Sequence, residues 1–448
     1  MNIKSIYKVR RTLLALITTV ALSSCDDYLD TIPSKGNNEV LNNSAQVEAL
    51  LGNSSIFNTP VNCLFSASDD EGMGTDIADM YGYVSENILN EMTWNTNDNE
   101  VNTFGDGAWD AEYNKVFTAN LIINQIDEVK DLSPENRTEY LAQAHLMRAM
   151  AMWALVNSYC LPYSEKTLSE PGLPLKKTNS YEEPVPRATV KETYDFILAD
   201  LNEAMKTHNQ TIGERRWWVS QPAVKAMMAR YYLFTQDYDK AAQYAKEALE
   251  SSAAELQDYN ELGFEPSEVS LDGVQQIVNY SELYRYSDSE QANYEENYLS
   301  EYFTHNEDLI PSESLKALYD QENDLRYKQF FNKYALWSSG IGGLGDDMTY
   351  NKFSHKTQAG PTVAEMLLTE AEALARTGQW QEAMRYVNEL REKRYVKGSD
   401  FTLTADSQED AIKKIIDERH REMPFLMRWY DIRRLGFNDV EYDDVSVE

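Results

Sequence analysis

Two stretches in the first half of the chain repeat their apolar residues with the period of an α-helix. Residues 113–129 place Val116, Asn120 and Ile123 on one face, at the spacing of successive helical turns. Residues 134–160 open with a proline, which suits the first turn of a helix, and continue with a long apolar stripe. Both stretches are predicted to be helices. The stripe of the second consists of Leu141, Leu146, Ala149, Trp153 and Val156.

A third helix is predicted over residues 189–205 from its start signal. Thr189 is followed three residues later by Glu192, the spacing of a capping box. In that arrangement each side chain accepts a hydrogen bond from a backbone N–H that would otherwise have no partner. The sequence therefore predicts Thr189 as the N-cap of this helix.

An internal repeat appears when residues 229–249 are laid, without gaps, on residues 371–391. Small residues, a short polar turn, an aromatic residue and an alanine coincide in the two segments. This spacing is similar to that of a tetratricopeptide unit, in which two helices cross closely through small side chains. The matching pairs are Ala229 with Ala371, Thr235 with Thr377, Tyr238 with Trp380, and Ala241 with Ala383.

These patterns predict a mainly α fold: a tetratricopeptide-like scaffold of about four helix pairs with a large, irregular, loop-rich insertion. We expect one domain over residues 46–448, with helical units within about 110–252 and 361–395. Segments 46–105 and 255–360 lack helical period. Because binding residues concentrate on loops carried by a rigid scaffold, we expect these segments to form the ligand-binding side.

The N-terminus has the composition of an export signal. Four basic residues precede an apolar run at 13–22, which is about half the length of a membrane-spanning helix. The run ends in Leu-Ser-Ser-Cys, which is similar to a bacterial lipobox with Cys25 as the lipidated residue. The sequence thus predicts a signal peptide at 1–24 and an acidic, lipid-anchored tether at 25–45. An ordinary cleavage site beside a cysteine is the alternative.

The chain is strongly acidic, with a formal net charge of −33. Residues 1–24 carry four basic and no acidic residues, so their removal takes the charge to −37. Such a field repels nucleic acid and anionic lipid. The acidic runs at 68–76 and 442–448 are most simply interpreted as solvated surface.

The sequence carries no positive indication of enzymatic chemistry. Residues 340–345 match G-x-G-x-x-G, but no buried strand precedes them and no helix follows, so no dinucleotide site is predicted. Motifs of the HExxH, CxxC and GxSxG types are absent. We therefore predict no metal site and no cofactor, and no motif identifies a catalytic residue.

Two alternatives stay open. Acidic residues early in the chain offer oxygen ligands for calcium, although they lack EF-hand spacing; they are Asp69, Asp70, Glu71, Asp76 and Asp79. Cys63 and Cys160 form either a disulfide or two separate thiols, since spacing alone does not bring two sulfur atoms together.

Aromatic residues are abundant outside the helical stretches. Flat rings with a polar edge suit ligands such as sugars, although each ring also has the simpler interpretation of packing the scaffold. The aromatic residues in question are Tyr81, Tyr83, Trp94, Tyr280, Tyr284, Tyr286 and Trp337.

Several motifs, in order along the chain, resemble the SusD/RagB family of outer-membrane nutrient-binding lipoproteins of Bacteroidetes. The resemblance extends from residue 25 to about 436. The matching stretches are CDDYLD, the W-x3-Y of Trp109 and Tyr113, AHLMRAMAMWALVNSYCLPY, GLPLKK, VPRATVKETYDFILADL, LIPSESLKALYDQENDLRYKQFF, AEMLLTEAEALARTG and ERHREMPFLMRWYDIRRLG.

This resemblance implies a non-enzymatic binding protein on the outer face of the outer membrane. Family members bind a glycan, or sometimes a peptide, and deliver it to a SusC-like TonB-dependent transporter, which the tetratricopeptide face typically contacts. A glycan ligand is expected here. A peptide ligand, a surface glycosidase and a purely structural adaptor are the alternatives.

The same resemblance places the ligand pocket at about 66–104 and 280–345. Within these segments the expected ligand-binding residues are Trp94, Asn95, Tyr286 and Trp337.

The C-terminal motif is rich in arginine, and we interpret it as locking the scaffold by pairing with buried carboxylates. The resemblance implies a proline-containing tail after this motif, where this chain reads NDVEYDDVSVE; a different closure of the fold is expected. The arginines are Arg419, Arg421, Arg428, Arg433 and Arg434.

Overall fold

The computed structural model consists mainly of helices joined by short strands and loops. It describes residues 40–53, 58–60, 67–72, 92, 94, 107–180, 184–251, 254–271, 274–304, 309–335, 344–354 and 356–445. The longer helices are α1 (Ser44–Leu51), α2 (Gly107–Gln125), α3 (Pro134–Tyr159), α4 (Val190–Ala204), α5 (Gln221–Phe234), α6 (Tyr238–Leu249), α11 (Val363–Arg376), α12 (Trp380–Glu392), α13 (Gln408–Glu422) and α14 (Leu426–Leu435). The short ones are α7 (Glu282–Arg285), α8 (Asp288–Ala292), α9 (Glu313–Ala317) and α10 (Leu325–Phe330).

The long helices pack one against the next in chain order. Helix α2 packs on α3, α3 on α4, α4 on α5, α5 on α6, and α6 on α11, which also contacts α12 and α13. Two apolar clusters fill this stack, one centred on α3, α4 and α5 and the other on α11, α12 and α13. The predicted helical scaffold is confirmed.

The internal repeat is reproduced in three dimensions. Helices α5 and α11 begin and end at positions that align in the repeat, and both are capped by a threonine. The hydroxyl of Thr235 donates to the carbonyl oxygen of Tyr231 and that of Thr377 to Ala373, each at 3.0 Å. Ala229 and Ala371 are both fully buried, as close helix crossing requires.

The predicted helix starts are also confirmed. Ser133 caps α3 and Pro134 occupies its first turn. Thr189 and Glu192 form the capping box of α4: the Thr189 N–H donates to the Glu192 carboxylate at 2.8 Å, and the Glu192 N–H donates to the Thr189 hydroxyl at 3.1 Å.

The insertion between α6 and α11 has more order than its sequence pattern suggests. Its aromatic residues form a separate buried cluster that includes Tyr259, Tyr294, Phe330 and Phe353, and Phe425 from the C-terminal motif joins it. The strands are short: β1 (Asn58–Pro60), β2 (Pro171–Pro174), β3 (Arg187–Thr189), β4 (Phe264–Leu271), β5 (Val274–Ser281), β6 (Tyr302–Thr304), β7 (Phe331–Ala335), β8 (Leu344–Tyr350) and β9 (Lys356–Gln358).

The strands make small separate sheets. Strand β6 lies between β1 and β9, parallel to β1 and antiparallel to β9. Antiparallel pairs are formed by β2 with β3, β4 with β5, and β7 with β8. Strands β4 to β9 belong to the insertion, so the loop-rich insertion predicted from sequence contains paired strands.

At the start of the described chain, Leu41 is buried and its N–H donates to the Gln125 side chain at 3.0 Å. Helix α1 begins at Ser44, so ordered packing starts within the segment assigned to the tether.

Cys160 is a buried free thiol, and Cys63 lies outside the described residues. None of the described helices combines the length and apolar character needed to cross a membrane.

Candidate ligand-binding site

Trp94 presents an aromatic surface to solvent. Its side chain is 54% exposed, and its ring lies 5.5 Å from that of Trp429, with 57° between the two planes. The backbone of Trp94 has φ 51°, a left-handed conformation that costs a non-glycine residue about 1–2 kcal/mol. Strain of this kind concentrates at functional sites, where the surrounding contacts hold it in place.

Trp429 is the buried ring against which Trp94 packs. It belongs to α14, is only 7% exposed, and stacks with the guanidinium of Arg433 at 5.7 Å. That guanidinium donates to the carbonyl oxygens of Asn157 and Cys160 at the end of α3. The Trp94–Trp429 pair is therefore tied directly to the helical scaffold.

An acidic segment fixes the start of α14. We call residues 67–72 the acidic junction. Asp70 is fully buried, and its carboxylate accepts hydrogen bonds from the Phe425 N–H and contacts the His420 ring. Asp69 pairs through both oxygens with Arg428, with the Arg428 Nε at 2.7 Å from Oδ1.

Electrostatics favour the charged form of Asp69. Burial alone would raise its pKa, but the hydrogen bond and charge of Arg428, with a further contribution from His420, hold the pKa below its ordinary value. The carboxylate is therefore a permanent counter-charge to Arg428.

The acidic junction also binds the insertion. The Ser312 N–H donates to the carbonyl of Asp70 at 2.7 Å, and the Ser312 hydroxyl donates to the carbonyl of Asp69 at 2.7 Å. The Gly72 N–H donates to the carbonyl of Ile310, also at 2.7 Å. Three segments distant in sequence thus converge at the start of α14, the helix that carries Trp429.

The interpretation of residues 68–76 as solvated surface is wrong for the described part. Ser68 and Asp70 are buried, and Asp69 is mostly buried. Asp69 and Asp70 form contacts with Arg428 and His420 of the C-terminal motif. These partners lie about 350 residues further along the chain, so the local sequence pattern does not indicate them.

Asp69, Asp70 and His420 place one ligand atom each within 4.8 Å of one another, as a cation site would require. Each of these groups already has a partner: Arg428 for Asp69, and His420 with the Phe425 N–H for Asp70. These three side chains are therefore explained by ion pairs and hydrogen bonds within the protein. Asp76 and Asp79, the other residues considered for calcium, lie outside the described residues.

The predicted pairing with carboxylates is confirmed for Arg419, Arg421, Arg428 and Arg434, whereas Arg433 donates to backbone carbonyls instead. Arg434 makes a bidentate pair with Glu372 at 2.7 Å for both bonds, and Arg419 pairs with Asp431 at 3.1 Å. Arg421 pairs with Glu418 at 2.9 Å.

Glu372 is the centre of one such network. Burial would raise its pKa, but Arg434, Arg376 and Arg419 outweigh that effect and lower the pKa far below the ordinary value.

A second network joins the insertion to α13. Arg326 contacts Asp324, Glu418 and Glu422 at 2.7, 2.7 and 2.9 Å. Arg394 contacts Glu296 and Glu422, and its guanidinium lies 3.9 Å from the centre of the Tyr259 ring. The insertion is held on the scaffold by buried charges as well as by its aromatic cluster.

Of the residues predicted to bind ligand, the structure describes Trp94 and Tyr286. Tyr286 is half-buried against the aromatic cluster of the insertion, and its carbonyl accepts from the Gln291 amide at 2.9 Å. Among the described aromatic contacts, none joins Tyr286 to Trp94. Asn95 and Trp337 lie outside the described residues, as does Cys25.

Two more of the loop aromatics pair with each other. Tyr280, at the end of β5, stacks on Tyr284 with ring centres 4.4 Å apart and 17° between the planes.

The supporting residues Trp429 and Asp70 were not among those predicted to form the site.

Family models match most of the chain. Residues 27–233 match a model described as "starch-binding associating with outer membrane", and residues 283–445 match the model of the SusD family. A SusD-like protein of Formosa agariphila is 24% identical over 377 residues, which cover 73% of this chain and 71% of that protein.

Solved structures share the fold. A SusD superfamily protein of Bacteroides vulgatus has a TM-score of 0.65 at 16% identity and covers 89% of each chain. A laminarin-binding SusD-like protein has a TM-score of 0.59 at 18% identity, over 91% of this chain and 96% of that one. The ordered motifs, the helical scaffold and both family models agree: the chain belongs to the SusD/RagB family of carbohydrate-binding proteins, a family associated with the outer membrane.

Proposed function

We propose that this protein captures an oligosaccharide at the cell surface and delivers it to a SusC-like TonB-dependent transporter, without chemically changing it. The observation that carries the proposal is the exposed ring of Trp94, held on Trp429. A flat, exposed aromatic face suits the apolar face of a sugar ring.

The rigidity of this surface supports a binding role. Both Trp429 and the acidic junction are fixed by buried contacts, so binding requires little reordering of the protein. Within the same proposal, Asn95, Tyr286 and Trp337 contribute from neighbouring loops. The family model described as starch-binding and the laminarin-binding structural neighbour support a glycan rather than a peptide as the ligand.

The anchoring is part of the proposal. Residues 1–24 direct export, Cys25 carries the lipid, and residues 25–45 include the tether of a single domain that faces the outside of the outer membrane. The lipobox and the family's association with that membrane support it. Replacing Cys25→Ser should release the protein from the membrane fraction when the transporter is absent, and retention of the variant there would contradict lipidation.

Binding is tested by calorimetry with laminari- and malto-oligosaccharides and with the best ligand from a glycan array. Trp94→Ala should weaken binding by about tenfold or more, because it removes the exposed ring. Trp380→Ala, which removes a half-buried tryptophan of α12, is the matched control and should bind as the unmodified protein does. Binding of peptides alone, or equal glycan affinity in both variants, would contradict the proposal.

Delivery is tested separately. Mild-detergent extraction of an affinity-tagged chain from its own cells should recover a large TonB-dependent β-barrel. Recovery of the tagged chain without such a partner would contradict the delivery step and leave the binding step standing.

A further inference from the structure

A pocket lies along α2, lined by residues between Trp109 and Asn120. Its volume is about 450 Å³, within the range of small-molecule sites. One wall is α2, and the other is the segment that follows β2, together with Val185. We call this pocket the α2 groove.

The floor of the α2 groove is aromatic. Trp109, Tyr113 and Phe117 follow one another at intervals of four residues, so they lie on one face of the helix. All three are half-buried. The groove therefore offers apolar ring surface along about two helical turns.

This floor is held in place by ring contacts. Trp109 lies 4.7 Å from Tyr113 and meets Tyr159 of α3 edge-on at 5.0 Å. The rings therefore have little freedom to lose when a ligand binds, which favours binding.

The opposite wall is fixed to α2 by hydrogen bonds. The Tyr113 hydroxyl donates to the carbonyl of Pro174 at 2.9 Å, and the Asn120 amide donates to the carbonyls of Lys176 and Thr178, both at 3.1 Å. Burial raises the pKa of Tyr113, so the hydroxyl remains a donor throughout the physiological range. The width of the groove is thus set by the protein itself.

Polar groups line the rim. Asp110 and Asn114 are exposed on α2 beside the rings, and Lys176, whose ammonium donates to the Ser180 carbonyl at 3.3 Å, lines the other wall. A carboxylate, an amide and an ammonium together can accept from and donate to neighbouring hydroxyls. The mixture of both charge signs favours a neutral ligand over an ionic one.

The described lining of the α2 groove does not overlap the Trp94 site. None of its described lining residues is Trp94, Trp429 or a member of the acidic junction. Trp109 contacts Tyr113 and Tyr159, whereas Trp94 contacts Trp429.

We propose that the α2 groove binds one neutral hexose unit of a glycan, as a second site that acts independently of Trp94. The choice of a sugar as ligand rests on the proposed function. The ring of the hexose stacks on Trp109 and Tyr113, and its hydroxyls bond to Asp110 and Asn114. A second weak site on one chain raises the avidity for a long polysaccharide without changing the affinity for a short one that reaches a single site.

The test is fluorine NMR of the full mature chain labelled with 5-fluorotryptophan. The resonances of Trp94, Trp109 and Trp380 are assigned from single Trp→Phe variants. The probes are the methyl glycosides of glucose, mannose and galactose, titrated separately into the unmodified chain, the Trp94→Ala variant, and an Asp110→Ala/Asn114→Ala variant.

We expect at least one glycoside to shift the Trp109 resonance saturably, in the unmodified chain and equally in Trp94→Ala, while Trp380 stays constant. The Asp110→Ala/Asn114→Ala variant, whose replaced side chains are exposed, should raise the midpoint about fivefold for Trp109 and leave any response of Trp94 unchanged.

A Trp109 resonance that no glycoside moves overturns the second site, even when Trp94 responds. A Trp109 response that disappears in Trp94→Ala, or that ignores the loss of Asp110 and Asn114, also overturns it. A response of Trp109 without one of Trp94 supports the groove and counts against the proposed function at Trp94.

Discussion

The helical stack and the loop side of this protein are stabilised in different ways. Helices α5, α6, α11 and α12 pack through small residues such as Ala229 and Ala371, each fully buried. The loop side is joined to the stack by buried ion pairs, of which Asp69–Arg428 and Arg326–Glu418 are examples. Apolar packing tolerates gradual change, whereas a buried charge that loses its partner is costly. The stack contains buried charge as well, at Glu372, so positions held by buried ion pairs in either region should be more sensitive to single substitutions than positions packed through small residues.

The largest effect is expected at Glu372, which faces Arg376, Arg419 and Arg434. Glu372→Gln leaves these guanidiniums without their common counter-charge and should lower the free energy of unfolding by about 3–5 kcal/mol. Chemical denaturation at neutral pH measures this. Glu382→Gln, at a glutamate about half exposed on α12, is the matched control and should change it little.

The pH dependence of the same residue has a defined sign. Its folded pKa lies below the ordinary 4.5, so the folded state binds fewer protons than the unfolded state as the pH falls through that value. The stability from Glu372 is present above about pH 4.5 and is lost in more acidic solution. A Glu372→Gln chain that loses as much stability between pH 5 and 3 as the unmodified chain would show that this carboxylate is not the cause.

The next effect is at Asp70, which links the acidic junction to α14. Asp70→Asn keeps the shape but weakens its hydrogen bonds to the Phe425 N–H and to His420, and should cost about 2 kcal/mol. Hydrogen exchange should show faster exchange of the amides at the start of α14, and unchanged exchange in α5 and α11. Asp195→Asn, at an exposed position of α4, is the control. Uniformly faster exchange in every helix would contradict a local role of Asp70 at the start of α14.

A smaller effect is expected at Glu370 of α11, inside the helical stack. Burial raises its pKa to about 7 from the ordinary 4.5, and its Oε2 has no hydrogen-bond partner among the described residues. The folded state therefore retains a proton that the unfolded state releases, and its stability falls as the pH rises from about 4.5 to 7.

Replacing Glu370→Gln removes this penalty. Thermal unfolding should show a gain of the order of 1 kcal/mol at pH 8 and little change at pH 5. An equal change at both pH values would refute ionisation as the cause.

The smallest effect compares the two copies of the repeat at one aligned position. Gly378 has φ 90°, and its counterpart Gln236 has φ 63°. Gly378→Ala should cost about 1 kcal/mol, because a Cβ is disfavoured in the left-handed region.

Gln236→Gly should raise the free energy of unfolding by less than about 1 kcal/mol. The gain is smaller because the Gln236 side chain, which the variant lacks, donates to the carbonyl of Tyr163 at 3.2 Å. Thermal unfolding of both variants checks the pair. A stabilising Gly378→Ala would contradict the equivalence of the two turns.

The sequence predicted those parts of the molecule whose cause is local. The capping box of Thr189 and Glu192, and the repeat that aligns α5 with α11, depend on residues within a few turns of one another. Trp94 is exposed, and its role in ligand binding stays a prediction.

The acidic junction could not be predicted in this way. Asp70 meets His420 and Phe425 from the opposite end of the chain, and its neighbours in sequence resemble an ordinary acidic loop. The order within the insertion was missed for a similar reason: Tyr259, Phe330 and Phe425 come together without any common period. The arginine-rich C-terminal motif was the one signal in the sequence that indicated such contacts. Several arginines close together in an acidic chain are expected to pair with carboxylates from elsewhere in the fold.

The central claim is that the acidic junction positions Trp94 on Trp429 for glycan binding. A double-mutant cycle of Trp94→Ala and Asp70→Asn, measured as oligosaccharide affinity by calorimetry, tests it most directly. Each single variant should weaken binding, and the double variant should bind no more weakly than Trp94→Ala alone. Losses that add in full, or a Trp94→Ala chain with unchanged affinity, would contradict the account.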